Sequence, residues 1–356
     1  MNQLRVGLTA VLLLACTSIA GAVAPHAMAA AVQTDAAKAA LPERMKKVRD
    51  DFFKGATTLP NLVRELKEIL AIDPGQAEAH MLLGIAYHGM ASPDLAGEAV
   101  AELRQAIALA PDLAVARMYL GLVYRDLGRL ERAREEFETA LKQEPGNPQF
   151  LAVLGETERR LKNLDRAEQL LRQALQGGQP FPQARYYLGL TLFDRGQRDA
   201  GISELESLLK AGSKAPDLYL NLGVMCLETK RVDRAIEILN DGLRMHGERS
   251  DMRIPLARAY RIKGQLDMAA HHLNLAAEQT KNAQDSPFSS ERQAAFDLYV
   301  ELGSLKQSQG ELTRAAGYFQ KALDIDPNHA ETKQRLAEVK RRLAQKPPKQ
   351  KGGDEQ

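Results

Sequence analysis

Histidine and cysteine are the side chains of this chain best suited to metal ligation or nucleophilic attack. Beyond residues 1–30 they are His80, His88, His246, His271, His272, His329 and Cys226, with Cys16 and His26 inside that segment. Their spacing supports neither chemistry. A helical zinc-protease site needs two histidines four residues apart with a carboxylate beside the first, and no such pair occurs. His271 and His272 are adjacent, so on a helix they point to different sides and read as a surface pair. Cys16 and Cys226 are too few and too distant for a disulfide framework. Cys226 falls on the apolar side of a helical pattern, which suits a core thiol better than a nucleophile. Phosphate-cradling glycine motifs of the P-loop or dinucleotide type are missing from the sequence. No catalytic residue, metal or cofactor is expected, and the chain does not read as an enzyme.

The glycines have another use, visible in the stretch Ala114 to Asn147, AVARMYLGLVYRDLGRLERAREEFETALKQEPGN. Leu120-Gly121, Tyr124, Gly128, Ala133, Phe137 and Ala140 lie three to five apart on two helical patterns joined at Gly128, and Pro145 closes the second. The pair recurs as Leu83-Gly84, Leu154-Gly155, Leu188-Gly189, Leu222-Gly223, Leu256-Ala257, Leu302-Gly303 and Leu336-Ala337. From Gly121 to Gly155, Gly189, Gly223 and Ala257 each step is 34 residues. Gly84 to Gly121 is 37, Ala257 to Gly303 is 46, and Gly303 to Ala337 returns to 34. A second column follows, Ala99, Ala133, Ala167, Gly201, Ala235, Ala269 and Ala315, each trailed four residues later by Leu103, Phe137, Leu171, Leu205, Leu239, Leu273 or Phe319. A small residue where helices cross admits close backbones, and the Leu or Phe fills the groove beside the contact.

This register resembles the tetratricopeptide repeat (TPR), a helix–turn–helix unit of 34 residues. The resemblance covers roughly residues 42–344 and implies an all-α TPR solenoid, a right-handed superhelix of antiparallel helix pairs. It divides the chain into a degenerate N-terminal repeat or cap over 42–76, seven TPR repeats over 77–329, a C-terminal capping helix over 330–344 and a basic tail over 345–356. The repeats start near Ala77, Ala114, Pro148, Pro182, Pro216, Ser250 and Phe296, with an insertion near 280–295 that extends one helix and then loops. Lys162 and Lys230 stand where other copies carry turn glycines, and Pro255 either begins or kinks its helix.

Charge and composition agree with small-residue helix packing and point away from nucleic acid. The 48 basic and 46 acidic residues nearly balance, and aromatics make up only 5% of the chain. Residues 1–29 form a secretory signal: Arg5 precedes an apolar run, and Ala27-Met28-Ala29 offers the small residues of a cleavage site. A small polar linker, 30–41, follows. Leu13-Leu14-Ala15-Cys16 is similar to the lipobox of bacterial lipoproteins, making Cys16 the candidate for lipidation. Two locations therefore stay open: a periplasmic protein released near Ala29, or one lipid-anchored to the outer membrane facing the periplasm. Membrane contact is expected only through that anchor or through a partner.

In the family the resemblance names, first helices line a concave groove that takes peptides or helices. Carried over residue by residue, the groove is Met81, Ile85, Met118, Tyr119, Leu122, Arg125 and Arg159, then Tyr186, Tyr187, Leu190, Phe193, Asn221, Val224, Arg258 and Arg261. The Lys/Asn/Lys/Arg clamp by which some members hold a C-terminal carboxylate does not appear. The implied function is a non-enzymatic periplasmic interaction scaffold of a bacterial envelope assembly, secretion or polysaccharide-export complex, with other proteins as partners. The alternative is a periplasmic chaperone or the regulatory subunit of an envelope enzyme.

Overall fold

Six of the repeats turn at a residue forced into the left-handed backbone region. Gly128, at φ 72°, donates its N–H to the carbonyl of Arg125, and Arg129 donates to Tyr124. This paired pattern satisfies the last carbonyls of the helix and recurs at Gly196, Gly264 and Gly310. Lys162 (φ 67°) and Lys230 (φ 62°) take the same conformation without the freedom of glycine. Asn163 N–H to Glu158 and Arg231 N–H to Cys226, both at 2.8 Å, hold them there. At the other end, Pro148, Pro182 and Pro216 open their helices, where a missing N–H costs nothing.

The computed structural model describes residues 36–90, 92–177, 181–247, 249–279 and 289–345. The signal segment with Cys16, most of the insertion and nearly all of the basic tail lie outside them. The described residues form helices without strands, and the chain divides into two compact units between residues 179 and 180. None of these helices is long and apolar enough to cross a membrane.

The first unit holds α1 (36–53), α2 (Leu59–Ile72), α3 (Ala77–Gly89), α4 (Ala96–Leu109), α5 (Ala114–Asp126), α6 (Leu130–Gln143), α7 (Pro148–Arg160) and α8 (Leu164–Leu175). The second holds α9 (Pro182–Asp194), α10 (Arg198–Lys210), α11 (Pro216–Glu228), α12 (Val232–His246), α13 (Ser250–Ile262), α14 (Leu266–Gln279), α15 (Ser289–Ser308), α16 (Leu312–Ile325) and α17 (Ala330–Ala344). From α3 onward, odd helices pack on the even helices that follow them, and each pair packs on the next within its unit. Three local readings change. Helix α1 begins inside the stretch read as linker, and α15 begins seven residues before Phe296. Pro255 does not begin α13 but lies inside it, so the carbonyl of Asp251 loses its usual helix donor.

The crossing geometry is uniform. A Cβ built on Gly121 would lie 2.5 Å from the Phe137 ring, and on Gly303 it would lie 2.7 Å from Phe319. Gly84, Gly155 and Gly223 meet Leu103, Leu171 and Leu239 in the same way. Those Leu and Phe side chains are fully buried, each worth about 1.5–3 kcal/mol of burial. The tightest crossing joins α9 and α10. A Cβ on Gly201 would approach the Gly189 carbonyl oxygen to 2.6 Å and the Phe193 nitrogen to 2.9 Å.

Two outcomes are expected. Phe137→Ala costs about 3–5 kcal/mol, and hydrogen exchange speeds first in α5–α8 rather than evenly across the chain, because repeats couple mainly to their neighbours. Gly201→Ala installs the residue other copies carry there, yet it lowers stability by about 1–3 kcal/mol because backbone atoms must move. A chemical-denaturation midpoint that rises in this variant would contradict the crossing geometry.

Candidate functional site

The odd helices supply the residues expected to face a ligand, and the two units are described in turn. In the first unit Met81, Ile85 and Met118 are 8%, 7% and 2% exposed. Their side chains therefore pack into the core and leave nothing for a ligand, because their register position points between adjacent first helices. Tyr119 and Leu122 on α5 are half-buried, and burial pushes the Tyr119 phenol above its ordinary range.

The arginines of this face are already engaged. Arg125 bonds Asp126 at 3.2 Å, and His88 Nε2 on α3 lies 2.9 Å from the same carboxylate, tying α3 to α5. Burial pushes the Asp126 carboxyl up, but the His88 hydrogen bond and the Arg125 charge outweigh it and hold it below the usual range. On α7, Glu156 is 2% exposed and accepts from Arg159 Nε at 2.7 Å and Arg160 Nε at 2.8 Å. Burial raises this carboxyl, and the two guanidinium groups more than reverse the effect. Nearby Glu158 is fully buried, accepts from Asn163 Nδ2 at 2.7 Å and lies 2.9 Å from Arg166.

In the second unit Tyr186, Leu190 and Phe193 are half-buried against the core of α10–α12, so only part of each is available. Tyr187 lies beside Tyr186 with ring centroids 5.6 Å apart. Asn221 Nδ2 donates to the Tyr186 hydroxyl at 2.6 Å and to the Asp217 carbonyl at 2.9 Å, joining α9 to α11. Arg258 and Arg261 on α13 both reach Glu301 of α15, at 2.7 and 3.3 Å, and Glu301 is 3% exposed. Val224 and Asn221 also line a concave pocket of about 420 Å³ with Leu220, Ile254, Pro255 and Arg258, and Asp251, Gln293 and Asp297 complete its wall. Sequence reasoning missed Leu220, Ile254, Asp251 and Asp297. The first three were reachable by counting back from Leu222-Gly223 and Leu256-Ala257. Asp297 was reachable in the same way, six residues before Gly303.

The chemistry-bearing side chains sit apart. Cys226 is fully buried, and burial, helped by Glu206, pushes its thiol up to about 11. His271 is exposed, but His272 is 7% exposed and stacks on Tyr260 with ring centroids 5.5 Å apart, so the expected surface pair is only half a surface feature. Among the described residues no three His, Cys, Asp or Glu side chains gather as a metal site.

Family models of the tetratricopeptide repeat match residues 96–138, 118–185 and 186–248, and a second such model matches 296–329. A search of the curated proteins returns no match. Among solved structures, the chain resembles the Cut9–Hcn1 hetero-tetramer of APC/C with a TM-score of 0.61 and 17% identity, over 79% of this chain and 52% of that one. It therefore spans about half that chain's length. The yeast Tom70 structure gives 0.54 and 14%, over 81% of this chain and 59% of that one. PilW, a type IV pilus biogenesis factor, gives 0.53 and 17%, over 59% of this chain and 95% of that one. At these identities the likeness is one of fold.

One pH response follows from the packing. Burial, with the positive charges of His271 and Arg253 beside it, lowers the His272 pKa from 6.5 to about 4. The unfolded chain thus binds the extra proton first as pH falls. The contribution of neutral His272 is present above about pH 6.5 and is lost progressively toward pH 4. His272→Phe keeps a ring on Tyr260 and removes the proton. Its melting temperature should fall less than wild type between pH 7 and 4.5, the difference corresponding to on the order of 2 kcal/mol; parallel pH profiles would refute the assignment.

Proposed function

The chain belongs to the tetratricopeptide repeat family, and from that premise we propose that it is a periplasmic interaction scaffold of the bacterial cell envelope. Proteins of this family are generally non-catalytic interaction scaffolds, and protein partners follow from the fold. The observation that carries the reading is the state of the odd-helix faces. Tyr119, Leu122, Tyr186, Tyr187, Leu190 and Phe193 stay half-exposed, whereas Arg125, Arg159, Arg258 and Arg261 are held by carboxylates of the same unit. Such a face offers shape and apolar area to a polypeptide, and its arginines would have to give up partners to bind an anion.

The compartment rests on the N-terminal sequence. Arg5, the apolar run and Ala27-Met28-Ala29 direct export, and a mature chain starting near Ala30 acts in the periplasm. There it holds components of an assembly, secretion or polysaccharide-export complex together.

Chemical crosslinking in cells, followed by capture of the tagged chain, tests the role. A small, fixed partner set that is lost in the Tyr186→Ala/Tyr187→Ala double variant is the expected result. Many unrelated clients would replace the scaffold with a chaperone, and capture of one enzyme whose activity changes would make it a regulatory subunit. The intact mass of the mature chain tests the compartment: a start near Ala30 is expected, and a diacylglyceryl mass on Cys16 would convert it to a lipid-anchored protein.

A further inference from the structure

The pocket of the second unit draws two carboxylates from one register position. Six residues before the small residue of each Leu-Gly or Leu-Ala pair stand Glu78, Val115, Gln149 and Gln183, then Asp217, Asp251, Asp297 and Glu331. Helices α11, α13 and α15 thus each place an aspartate at the same position, and α3 and α17 a glutamate. Two of these carboxylates line the pocket.

Their partners differ. Asp251 is bonded by Arg249 Nε at 3.0 Å, and the same guanidinium stands 3.7 Å from Asp217. Asp297 accepts only from the amide of Gln293, at 3.1 Å, and no cationic group among the described residues lies within ion-pair distance of it. Arg258, the nearest cation of the pocket, is bonded to Glu301. Burial pushes the Asp297 carboxyl above its ordinary range, against the weaker opposing pull of Gln293 and Arg258. The floor beneath it is apolar: Leu220 and Val224 are half-buried, and the buried Ile254 and Pro255 back them. A half-buried carboxylate with no ion-pair partner among the described residues, beside an apolar floor, is an electrostatically incomplete surface.

Building on the scaffold reading above, we propose that this pocket docks a partner polypeptide segment that presents an apolar side chain beside a lysine or arginine. The apolar side chain enters between α11 and α13 over Val224 and Ile254, and the cation meets Asp297 at the α15 wall. The fit is to a basic segment, opposite in charge to the acidic C-terminal carboxylates that a basic clamp would hold.

The test uses the full mature chain and four synthetic peptides with one scaffold sequence: Leu with Lys, Leu with Glu, Ser with Lys, and Ser with Glu, at adjacent positions. Binding is read by titration calorimetry at low and high salt. The Leu/Lys peptide should bind roughly tenfold more tightly than the Leu/Glu peptide, with the preference shrinking in high salt. Asp297→Asn should remove most of that preference, and Val224→Glu should abolish Leu-dependent binding; circular dichroism melts of both variants check that they fold. Equal binding of Leu/Lys and Leu/Glu, with both lost in Val224→Glu, leaves the groove as a docking surface and overturns the charge selection. Equal binding of Leu/Lys and Ser/Lys reduces the site to a non-selective acidic surface and overturns the proposal. No binding by any peptide overturns the pocket as a docking site. The in-cell crosslinking experiment, which draws on both units and on native partners, then judges the scaffold reading separately. A rise in mass on light scattering that competes with the Leu/Lys peptide would give the pocket to a second copy of this chain, and also overturns the proposal.

Discussion

Everything in this molecule depends on a very small residue at one point per repeat, glycine in six repeats and Ala257 in the other. Where the first helix of a pair crosses the second, Gly84, Gly121, Gly155, Gly189, Gly223 or Gly303 lets a Leu or Phe lie flat across the backbone. A methyl group there would stand 2.1 to 2.7 Å from that side chain, well inside contact distance. The gap sets the spacing within each pair, and that spacing brings successive pairs together to bury their remaining apolar faces. Lys162 and Lys230 illustrate how firmly the rest follows. A lysine at positive φ costs roughly 1–2 kcal/mol, yet the turn keeps its geometry because the paired helix-end hydrogen bonds and the crossing on either side over-determine it.

Electrostatics then decide what the odd-helix faces can offer. Exposed pairs such as Arg125 with Asp126 contribute about 0–1 kcal/mol and serve mainly to occupy charge. Glu156 and Glu301 are different, because both are almost fully buried and each is bound by two arginines. Removing a partner from such a site costs about 3–5 kcal/mol, so these arginines are structural before they are anything else. A ligand meets a surface whose cations are committed and whose apolar side chains are half-open. That favours a polypeptide recognised by shape over a small anion recognised by charge.

The sequence revealed the fold because the crossing constraint is local and repeats without drift. Leu-Gly pairs 34 residues apart need no tertiary information to be seen. The odd-helix face was harder to read, because exposure there depends on the neighbouring helix. Met118 and Tyr119 are adjacent in sequence, yet the first is buried and the second half-open. Hydropathy could not separate them. The arginines were legible as surface residues but their pairing was not, since Arg258 and Glu301 are 43 residues apart. Asp297 could be counted from its Leu-Gly pair like Asp217 and Asp251, but its pairing with Gln293, four residues earlier in a helix that starts before the repeat, could not.

Comparing columns across the repeats separates packing from recognition. Three residues after the small residue, the chain carries Tyr87, Tyr124, Glu158, Leu192, Cys226, Tyr260 and Lys306. The first five are all buried despite their different chemistry, and the last two are half-buried. The register fixes burial there and the residue type adapts, even at the cost of enclosing Glu158. Six residues before the small residue the side chains are exposed or half-buried, so packing demands little and identity is free to drift, as Glu78, Val115, Gln149 and Gln183 do. Asp217, Asp251 and Asp297 keep a carboxylate on three neighbouring helices, although such carboxylates repel one another. Asp217 and Asp251 lie in the first turns of α11 and α13, where negative charge suits the helix dipole, and Arg249 bonds Asp251 and stands near Asp217. Asp297 lies well inside α15 and, among the described residues, has no cation within ion-pair distance, so that carboxylate is where a positively charged ligand is to be looked for.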